Sequence, residues 1–406
     1  MSAATLARVL PYLHLSGGDF EIFHQIATAL IHGGSVYARP EFDYPPLAAV
    51  LVGPLGFLPL FEARVVWLAI SLCALLLAWV WTWRLAGADG TATWAVVLVI
   101  VLEGSSAPNL ALGQFNPLIL GLVAMSLLDL AARPVRSATA IGVAAAIKIW
   151  PALLLFAWIP WRPSGRRPAA AILAGAGIAA LGVLLPALFL FATTGPPHVA
   201  LAHGFWFGSP ALLNFSAPAA ALRASYSWSA GAALPPDWQD GVRASWSLAP
   251  AGRQLSLAVS ILVLLAGLAA IVWRRRRASP GDRRGEETES ASTTRATLLA
   301  LVALALLAAP ISWYHYQLLE VPAFVLVLTA RLRKRRWISG AWVALAVVAL
   351  TRHELVSAVL QRVDFNPDPD LALYRTGQLT TLVGAIWFVV LLLRIHSVAR
   401  IGASRT

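Results

Sequence analysis

The chain has little charge, almost no sulfur and almost no lysine. Charged residues make up 12% of its 406 residues, compared with roughly 25% in soluble domains. This shortage excludes a soluble globular enzyme, a disordered chain and a fibrous repeat. Its single cysteine, Cys73, excludes an intramolecular disulfide and a thiolate metal cluster. Lysine occurs only at positions 148 and 334, so nearly all of the positive charge is arginine.

Apolar residues dominate instead. They make up 59% of the chain, and the mean hydropathy is +0.72. Two segments, 47–60 and 137–160, are apolar but short or interrupted. The pattern predicts an all-α polytopic membrane protein with about 9–11 transmembrane helices. The clear candidate spans are 62–84, 91–108, 115–132, 168–193, 253–273, 296–311, 315–331, 337–351 and 377–394.

Arginine-rich segments predict the orientation. Cytoplasmic loops of membrane proteins carry an excess of positive charge, so the net charge of +12 indicates sidedness and no nucleic-acid partner. The segment 137–160 then becomes a short helical hairpin bent near Pro151. The outward-facing regions are 16–46, 105–115, 194–252, 311–315 and 352–376. The arginine segments are 133–136, 162–167, 274–284, 331–336 and 394–405.

We expect one integral membrane domain over residues 1–406. It contains a first outer loop with juxtamembrane helices at 16–61, a large outer loop at 194–252, and a polar cytoplasmic linker at 274–295 that is predicted to be disordered. Residues 1–15 are too short and too interrupted to span, so this topology favours a first transmembrane helix before the given start. No fixed-period repeat is evident, which disfavours an inverted-repeat transporter.

The first outer segment carries an acidic residue after two glycines. A helix is expected from Asp19 to Ile31, ended by the glycines after His32, and Tyr44-Pro45-Pro46 is expected to open the next apolar helix. A carboxylate at a helix N-terminus is favourable in itself. Asp19 is therefore either a helix cap or a membrane-proximal general base.

Lys148 lies inside an apolar run, where a lysine is costly and marks a functional site by default. It either snorkels, pairs with Asp129 or Glu103, or binds an anionic lipid phosphate as a fixed positive charge. Trp206 and Asn214 lie in the large outer loop, where tryptophan either anchors the chain at lipid headgroups or stacks on a sugar.

Another outer segment reads Ser312-Trp313-Tyr314-His315-Tyr316. It is either an interfacial aromatic belt or a contact for sugar or phosphate. The sequence has no zinc-ligand spacing and no nucleotide-binding glycine loop. It therefore predicts no cofactor and no metal, with a weak alternative of a divalent-ion site at the acidic stretch 364–368.

Six stretches together resemble the bacterial glycosyltransferase 87 family of the GT-C superfamily. The family includes polyprenol-phosphate-mannose-dependent mannosyltransferases and some arabinofuranosyltransferases. The chain differs from the family at its frequent His-His pair, because Tyr316 occupies the second position. The stretches are Asp19-Phe20 with Gly33 to Tyr37, Phe42 to Pro46, Pro54 to Pro59, Gly113 to Asn116, Ala146 to Pro151, and Ser312 to Tyr316.

The resemblance implies a GT-C-like fold with its active site on the outer face of the inner (plasma) membrane. The expected partners are a polyprenyl-phosphate sugar donor, a lipid or glycan acceptor, and membrane lipids. Asp19 and His315 are the expected catalytic residues: Asp19 is the general base of an inverting transfer, and His315 lies near the donor phosphate or sugar. We assign donor or phosphate binding to Lys148, Arg64, Tyr44, Tyr314, Gln114 and Asn116, and acceptor or sugar contact to Glu21, Trp313, Asn214 and Trp206.

Three alternatives remain open at this point. The first concerns the donor sugar: mannose is the leading prediction, and arabinofuranose or another pentose is the alternative. A lipid or sugar transporter would place its polar groups at the membrane midplane, whereas these cluster in the outer loops. A structural scaffold would not need Asp19, Lys148 and His315.

Overall fold

A computed structural model describes residues 18–38, 42, 44–159, 166–189, 214–225, 250–277, 286–309, 312, 314–363 and 369–393. Over these ranges the regular elements are helices and none is a strand, which confirms the all-α prediction. The chain divides into two compact units. The expected first transmembrane helix would precede residue 18 and lies outside the described residues.

The first unit comprises residues 1–101 and 106–204. Short 3-10 helices also occur in it, at Val36–Ala38, Gly53–Phe57 and Trp150–Trp158. Its α-helices are α1 (Asp19–Ile31), α2 (Pro46–Val52), α3 (Leu60–Leu85), α4 (Gly90–Leu102), α5 (Ser106–Leu112), α6 (Asn116–Asp129), α7 (Pro134–Ile147) and α8 (Arg166–Phe189).

The second unit comprises residues 102–105 and 205–406. A 3-10 helix, Tyr314–Glu320, precedes α12 directly. Its α-helices are α9 (Ala217–Ala224), α10 (Pro250–Arg277), α11 (Glu286–Ala308), α12 (Val321–Arg333), α13 (Trp337–Thr351), α14 (His353–Val363) and α15 (Pro369–Leu393).

Several helices are long and apolar enough to cross a membrane. Among the described residues, Leu60–Leu85, Ala251–Arg276 and Ala372–Leu393 meet that requirement, and two bent helix pairs raise the number of candidate spans to five. A multi-pass membrane protein is therefore confirmed. Further apolar helices are only 10–17 residues long, so the total of about 9–11 spans stays a prediction.

One expected span is broken, and another ends in a sharp bend. Helices α4 and α5, which cover the expected span 91–108, meet at 58°, whereas α13 has the expected bounds 337–351 and meets α14 at 97°. At the first break, the Arg352 guanidinium donates to the carbonyl oxygens of Leu102 (2.6 Å) and Glu103 (3.2 Å). These are orphan acceptors at a helix end, and a charged donor satisfies them.

Helices α7 and α8 pack with their backbones close together. A side chain added at Gly142 would collide with the backbone of Gly175, and one added at Gly175 would meet the Ala138 carbonyl oxygen at 2.7 Å. Such contacts between small residues are a common way for membrane helices to associate. They hold the C-terminal end of α7, where Lys148 follows.

The segment 137–160 breaks earlier than expected. Helix α7 ends at Ile147, Lys148 is extended (φ −148°, ψ 122°), and the 3-10 helix Trp150–Trp158 follows and packs against α7 and α8. The bend thus falls at Lys148, three residues before the proline. The cytoplasmic linker predicted at 274–295 is helical at both ends, because α10 runs to Arg277 and α11 begins at Glu286. Residues 278–285 lie outside the described residues.

Candidate functional site

Helix α1 carries Asp19 as its first residue. Its bounds, Asp19–Ile31, match the sequence prediction, and His32 caps its C-terminal end. Gly18 precedes it at φ +93°, a backbone angle that favours glycine. Phe20 and Phe23 lie on the buried face of α1, so packing of these rings determines where the Asp19 carboxylate lies.

Gln114 holds the Asp19 carboxylate. Its Nε2 donates to Asp19 Oδ2, while its Oε1 accepts from the Tyr44 hydroxyl at 3.1 Å. Gln114 reaches this position because Gly113, at φ +72°, turns the chain between α5 and α6. The structure thus brings together three residues that the sequence analysis assigned to one site.

Aromatic rings pack against Tyr44, one member of this trio. Phe23 lies 5.2 Å from Tyr44 and 5.0 Å from Phe115 between ring centroids, and Trp67 lies 4.9 Å from Phe115. Edge-to-face and tilted pairs at these separations stabilise each other beyond the area they bury. The aromatic cluster comprises Phe20, Phe23, Phe42, Tyr44, Trp67 and Phe115.

Two cations lie against this cluster. Lys148 Nζ is 5.2 Å from the ring centroid of Tyr44, and the Arg64 guanidinium carbon is 6.0 Å from that of Phe20. Both separations are within the range of a cation–π attraction. The cationic residues predicted for donor binding therefore border the aromatic cluster to which Tyr44 and Phe20 belong. One predicted partner of Lys148, Asp129, instead forms an ion pair with Arg136 at 2.9 Å.

Two further predicted site residues make contacts of their own. Asn116 is fully buried, and its Nδ2 donates to Asn109 Oδ1 at 2.9 Å. Glu21 accepts a longer hydrogen bond from Gln25 at 3.4 Å on the same helix. These contacts are compatible with structural roles, and the assigned binding roles of both residues stay predictions.

In the second unit, Asn214 joins two chain segments. Its Oδ1 accepts from the backbone N–H of Ser312 at 2.8 Å, and the Phe215 N–H donates to the Ser312 carbonyl at 2.8 Å. Asn214 and Ser312 are fully buried. The observed contact of Asn214 is thus with the chain just before His315, and its predicted sugar contact stays a prediction.

Arg223 supports the same segment from α9. Its Nη1 donates to the Asn214 carbonyl at 2.8 Å, and its own carbonyl accepts from the Tyr374 hydroxyl at 3.2 Å. Burial lowers the pKa of Arg223 to about 10, so the guanidinium stays charged at neutral pH. A charged donor strengthens the hydrogen bond to the carbonyl.

His315 lies in the 3-10 helix Tyr314–Glu320 and is 4% exposed. Its ring packs edge-on against Tyr316, with 4.9 Å between ring centroids. Asp19 lies in the first unit and His315 in the second. Trp206 and Trp313 lie outside the described residues, as does the acidic stretch 364–368, and the side chain of Tyr314 is likewise not described.

The sequence analysis assigned no role to Trp67 or Arg223, which both hold backbone groups of these networks. Trp67 donates from Nε1 to the Gly113 carbonyl at 2.7 Å, and Arg223 holds Asn214. The available signal for Trp67 was its position three residues after Arg64, which places both on one helix face. Arg223 carried no local signal, because its partner belongs to a different segment.

One comparison with known proteins is positive. The model of glycosyltransferase family 87 matches residues 42–310, which is more than half of the chain. The match includes seven of the twelve predicted site residues, whereas the other five lie outside it. Those inside are Tyr44, Arg64, Gln114, Asn116, Lys148, Trp206 and Asn214, and those outside are Asp19, Glu21, Trp313, Tyr314 and His315. No curated protein and no solved structure matches the chain significantly.

Proposed function

This chain belongs to glycosyltransferase family 87, and on that premise we propose that it transfers a sugar, mannose in the first instance, from a polyprenyl-phosphate donor to a lipid or glycan acceptor. The membership makes it a membrane glycosyltransferase. One observation supports the finer proposal: Asp19 lies at a helix start, is held by Gln114, and is bordered by a buried aromatic cluster with two cations.

In the proposed reaction, Asp19 is the general base. The acceptor hydroxyl oxygen attacks the anomeric carbon, and its proton passes to the Asp19 carboxylate. The bond from that carbon to the phosphate oxygen breaks, and polyprenyl phosphate leaves with the electron pair. Attack from the side opposite the leaving group inverts the anomeric configuration, which requires one essential carboxylate and not the pair of a glycosidase.

Lys148 and Arg64 would stabilise the phosphate. A phosphate is already a good leaving group, and a fixed positive charge stabilises the charge that develops on it. Lys148 is the stronger candidate, because its ammonium group lies over Tyr44, whose hydroxyl binds Gln114. We place this chemistry on the periplasmic or extracellular side of the plasma membrane, in agreement with the arginine distribution.

His315 keeps the role that the family resemblance implies, contact with the donor sugar or phosphate. Its predicted effect is measured separately from that of Asp19, through a His315→Ala variant assayed over a range of donor concentrations. A raised donor KM supports the assignment, and an unchanged KM and kcat would contradict it.

A transfer assay tests the proposal. Membranes containing the full chain receive polyprenyl-phosphate-mannose and polyprenyl-phosphate-arabinose in parallel, and the lipid-linked product is identified by mass spectrometry. Asp19→Asn is expected to abolish transfer in a folded, inserted protein. Glu62→Gln is the matched control, because Glu62 is an exposed carboxylate in the first turn of α3 in the same unit.

The outcomes separate the parts of the proposal. Transfer from polyprenyl-phosphate-arabinose alone would overturn the mannose assignment and still support a polyprenyl-phosphate-sugar transferase. Full activity of purified Asp19→Asn would remove Asp19 as the base. An absence of transfer from both donors, in membranes where the protein is inserted, would refute the polyprenyl-phosphate proposal.

A further inference from the structure

The sequence analysis assigns donor or phosphate binding to Gln114, and the hydrogen bonds of its side chain suggest a further role. Both polar atoms of its side chain bind protein groups: Nε2 donates to Asp19, and Oε1 accepts from Tyr44. Gln114 is 2% exposed. A primary amide with both ends engaged inside the protein orients its neighbours well and is poorly disposed to bind an incoming phosphate.

The direction of the Gln114 amide is determined by Asp19. A carboxylate only accepts hydrogen bonds, so the amide must turn its nitrogen towards Asp19, since the opposite orientation would set a carbonyl oxygen against the carboxylate. The Tyr44 hydroxyl then donates to the amide oxygen and holds the Gln114 side chain in place. The trio is therefore a directional chain from Tyr44 through Gln114 to Asp19.

Tyr44 is itself held from several sides. Its ring packs against Phe23 and Phe115, and Lys148 lies over the same ring. Its backbone carbonyl accepts from the Tyr37 hydroxyl at 3.1 Å. Burial raises the pKa of Tyr37 above its ordinary value, so this hydroxyl stays protonated and remains a donor.

We infer that Gln114 is the positioning residue of the general base, and that Tyr44 holds the Gln114 amide in place through its hydrogen bond. This inference rests on the proposed function, since it assigns a partner to Asp19 as the base. In the transfer step the proton still passes from the acceptor hydroxyl to Asp19 while the new glycosidic bond forms and the bond to phosphate breaks. Gln114 and Tyr44 neither gain nor lose a proton.

The expected signature is a loss of turnover without a loss of binding. Gln114→Leu removes the donor to Asp19 and lets the carboxylate rotate, and a misplacement of about 1 Å at a reacting group costs up to roughly a hundredfold in rate. We expect kcat to fall about 10- to 100-fold, with the KM of both substrates within about twofold of wild type. A residue that binds phosphate would instead raise the donor KM.

A second variant covers the case in which Gln114→Leu fails to fold. Gln114→Glu keeps the size of the side chain and an acceptor for Tyr44, but an ionised carboxylate cannot donate to Asp19. We expect it to lower kcat at least as much as Gln114→Leu, because it also sets two like charges together.

Tyr44→Phe tests the other end of the chain. It removes the hydroxyl and retains the ring that packs beneath Lys148, so kcat is expected to fall several-fold with little change in donor KM. Because Tyr44 is inferred to act through Gln114, the double variant Tyr44→Phe/Gln114→Leu should match Gln114→Leu alone. Two independent structural roles would make the effects multiply.

Gln25→Leu is the matched control. It makes the same chemical change on α1, where Gln25 binds only weakly to Glu21 at 3.4 Å, and we expect it to keep wild-type kcat. Wild-type kinetics of both Gln114 variants, or a raised donor KM at unchanged kcat, would overturn the inference even if Asp19→Asn is inactive. Multiplying effects in the double variant would overturn the role of Tyr44.

Failure of the proposed function has a different signature. An active Asp19→Asn enzyme would remove the base and this inference with it, whatever the Gln114 variants do. An inactive Asp19→Asn enzyme combined with wild-type Gln114 variants removes the inference alone. The two failures are therefore distinguished within one set of measurements.

Discussion

A methyl group added at Gly113 should lower both the stability of the protein and its activity. Gly113 has φ +72°, and a Cβ at this position would lie 2.5 Å from the Cβ of Phe20. Phe20 directly follows Asp19, so any movement that relieves the collision also moves the carboxylate. Gly113→Ala therefore combines backbone strain with overpacking, directly before the residue that donates to Asp19.

The magnitude follows from two terms. The left-handed backbone angle costs an alanine roughly 1–2 kcal/mol, and overpacking of a dense core costs typically about 1–3 kcal/mol more. Gly33 isolates the first term, because it has φ +73° and a Cβ there would meet nothing within 4 Å. Gly113→Ala should thus lower the free energy of unfolding by about 2–5 kcal/mol, and Gly33→Ala by only about 1–2 kcal/mol.

Two measurements check this expectation. Unfolding in detergent micelles, followed by the fluorescence of the 17 tryptophans, gives the stability of each variant. Transfer assays give kcat, which should fall about tenfold or more in Gly113→Ala and stay near wild type in Gly33→Ala. If the two variants were equally stable and equally active, the predicted collision with Phe20 and its link to Asp19 would be refuted.

Three further predictions use other parts of the chain. Lys148→Met should raise the donor KM roughly tenfold or more, as expected for the loss of a charged contact. Lys334→Met, which alters the only other lysine, should leave the donor KM unchanged. Equal effects of the two variants would contradict a donor-binding role for Lys148. Asn214→Leu removes the acceptor of a buried N–H and should cost about 1–3 kcal/mol of unfolding free energy; wild-type stability would contradict that role. A cysteine at Pro280 in a cysteine-free background should react with an impermeant thiol reagent only from the cytoplasmic side, and labelling from outside would reverse the topology.

Local signals predicted the first helix well. Glycines on both sides of a periodic apolar stretch marked Asp19 and Ile31 as its ends, and Pro46 marked the start of α2. These features act within a few residues, so they can be read from the sequence. Overall hydropathy likewise predicted an all-α membrane fold, because apolar stretches of that length have few other stable states.

Helix breaks were harder to predict. Residues 91–108 read as one span, yet α4 and α5 form a 58° bend, where Arg352, some 250 residues later in the chain, satisfies the carbonyl groups at the break. Lys148 ended α7 three residues before the proline that was expected to bend the chain. At the first break a distant partner thus satisfies backbone groups that the local pattern does not mark.

By itself, the sequence determined the class of the protein and the candidate chemical groups: a multi-pass helical membrane glycosyltransferase with Asp19, Lys148 and His315 as rare polar residues. Only the tertiary structure decided that Asp19 accepts a hydrogen bond from Gln114, 95 residues away. It also decided that Asn214 accepts one from the backbone N–H of Ser312, 98 residues away. The reason is physical. Periodicity and capping act over one or two helical turns, whereas the partner of a buried polar group depends on how distant helices pack.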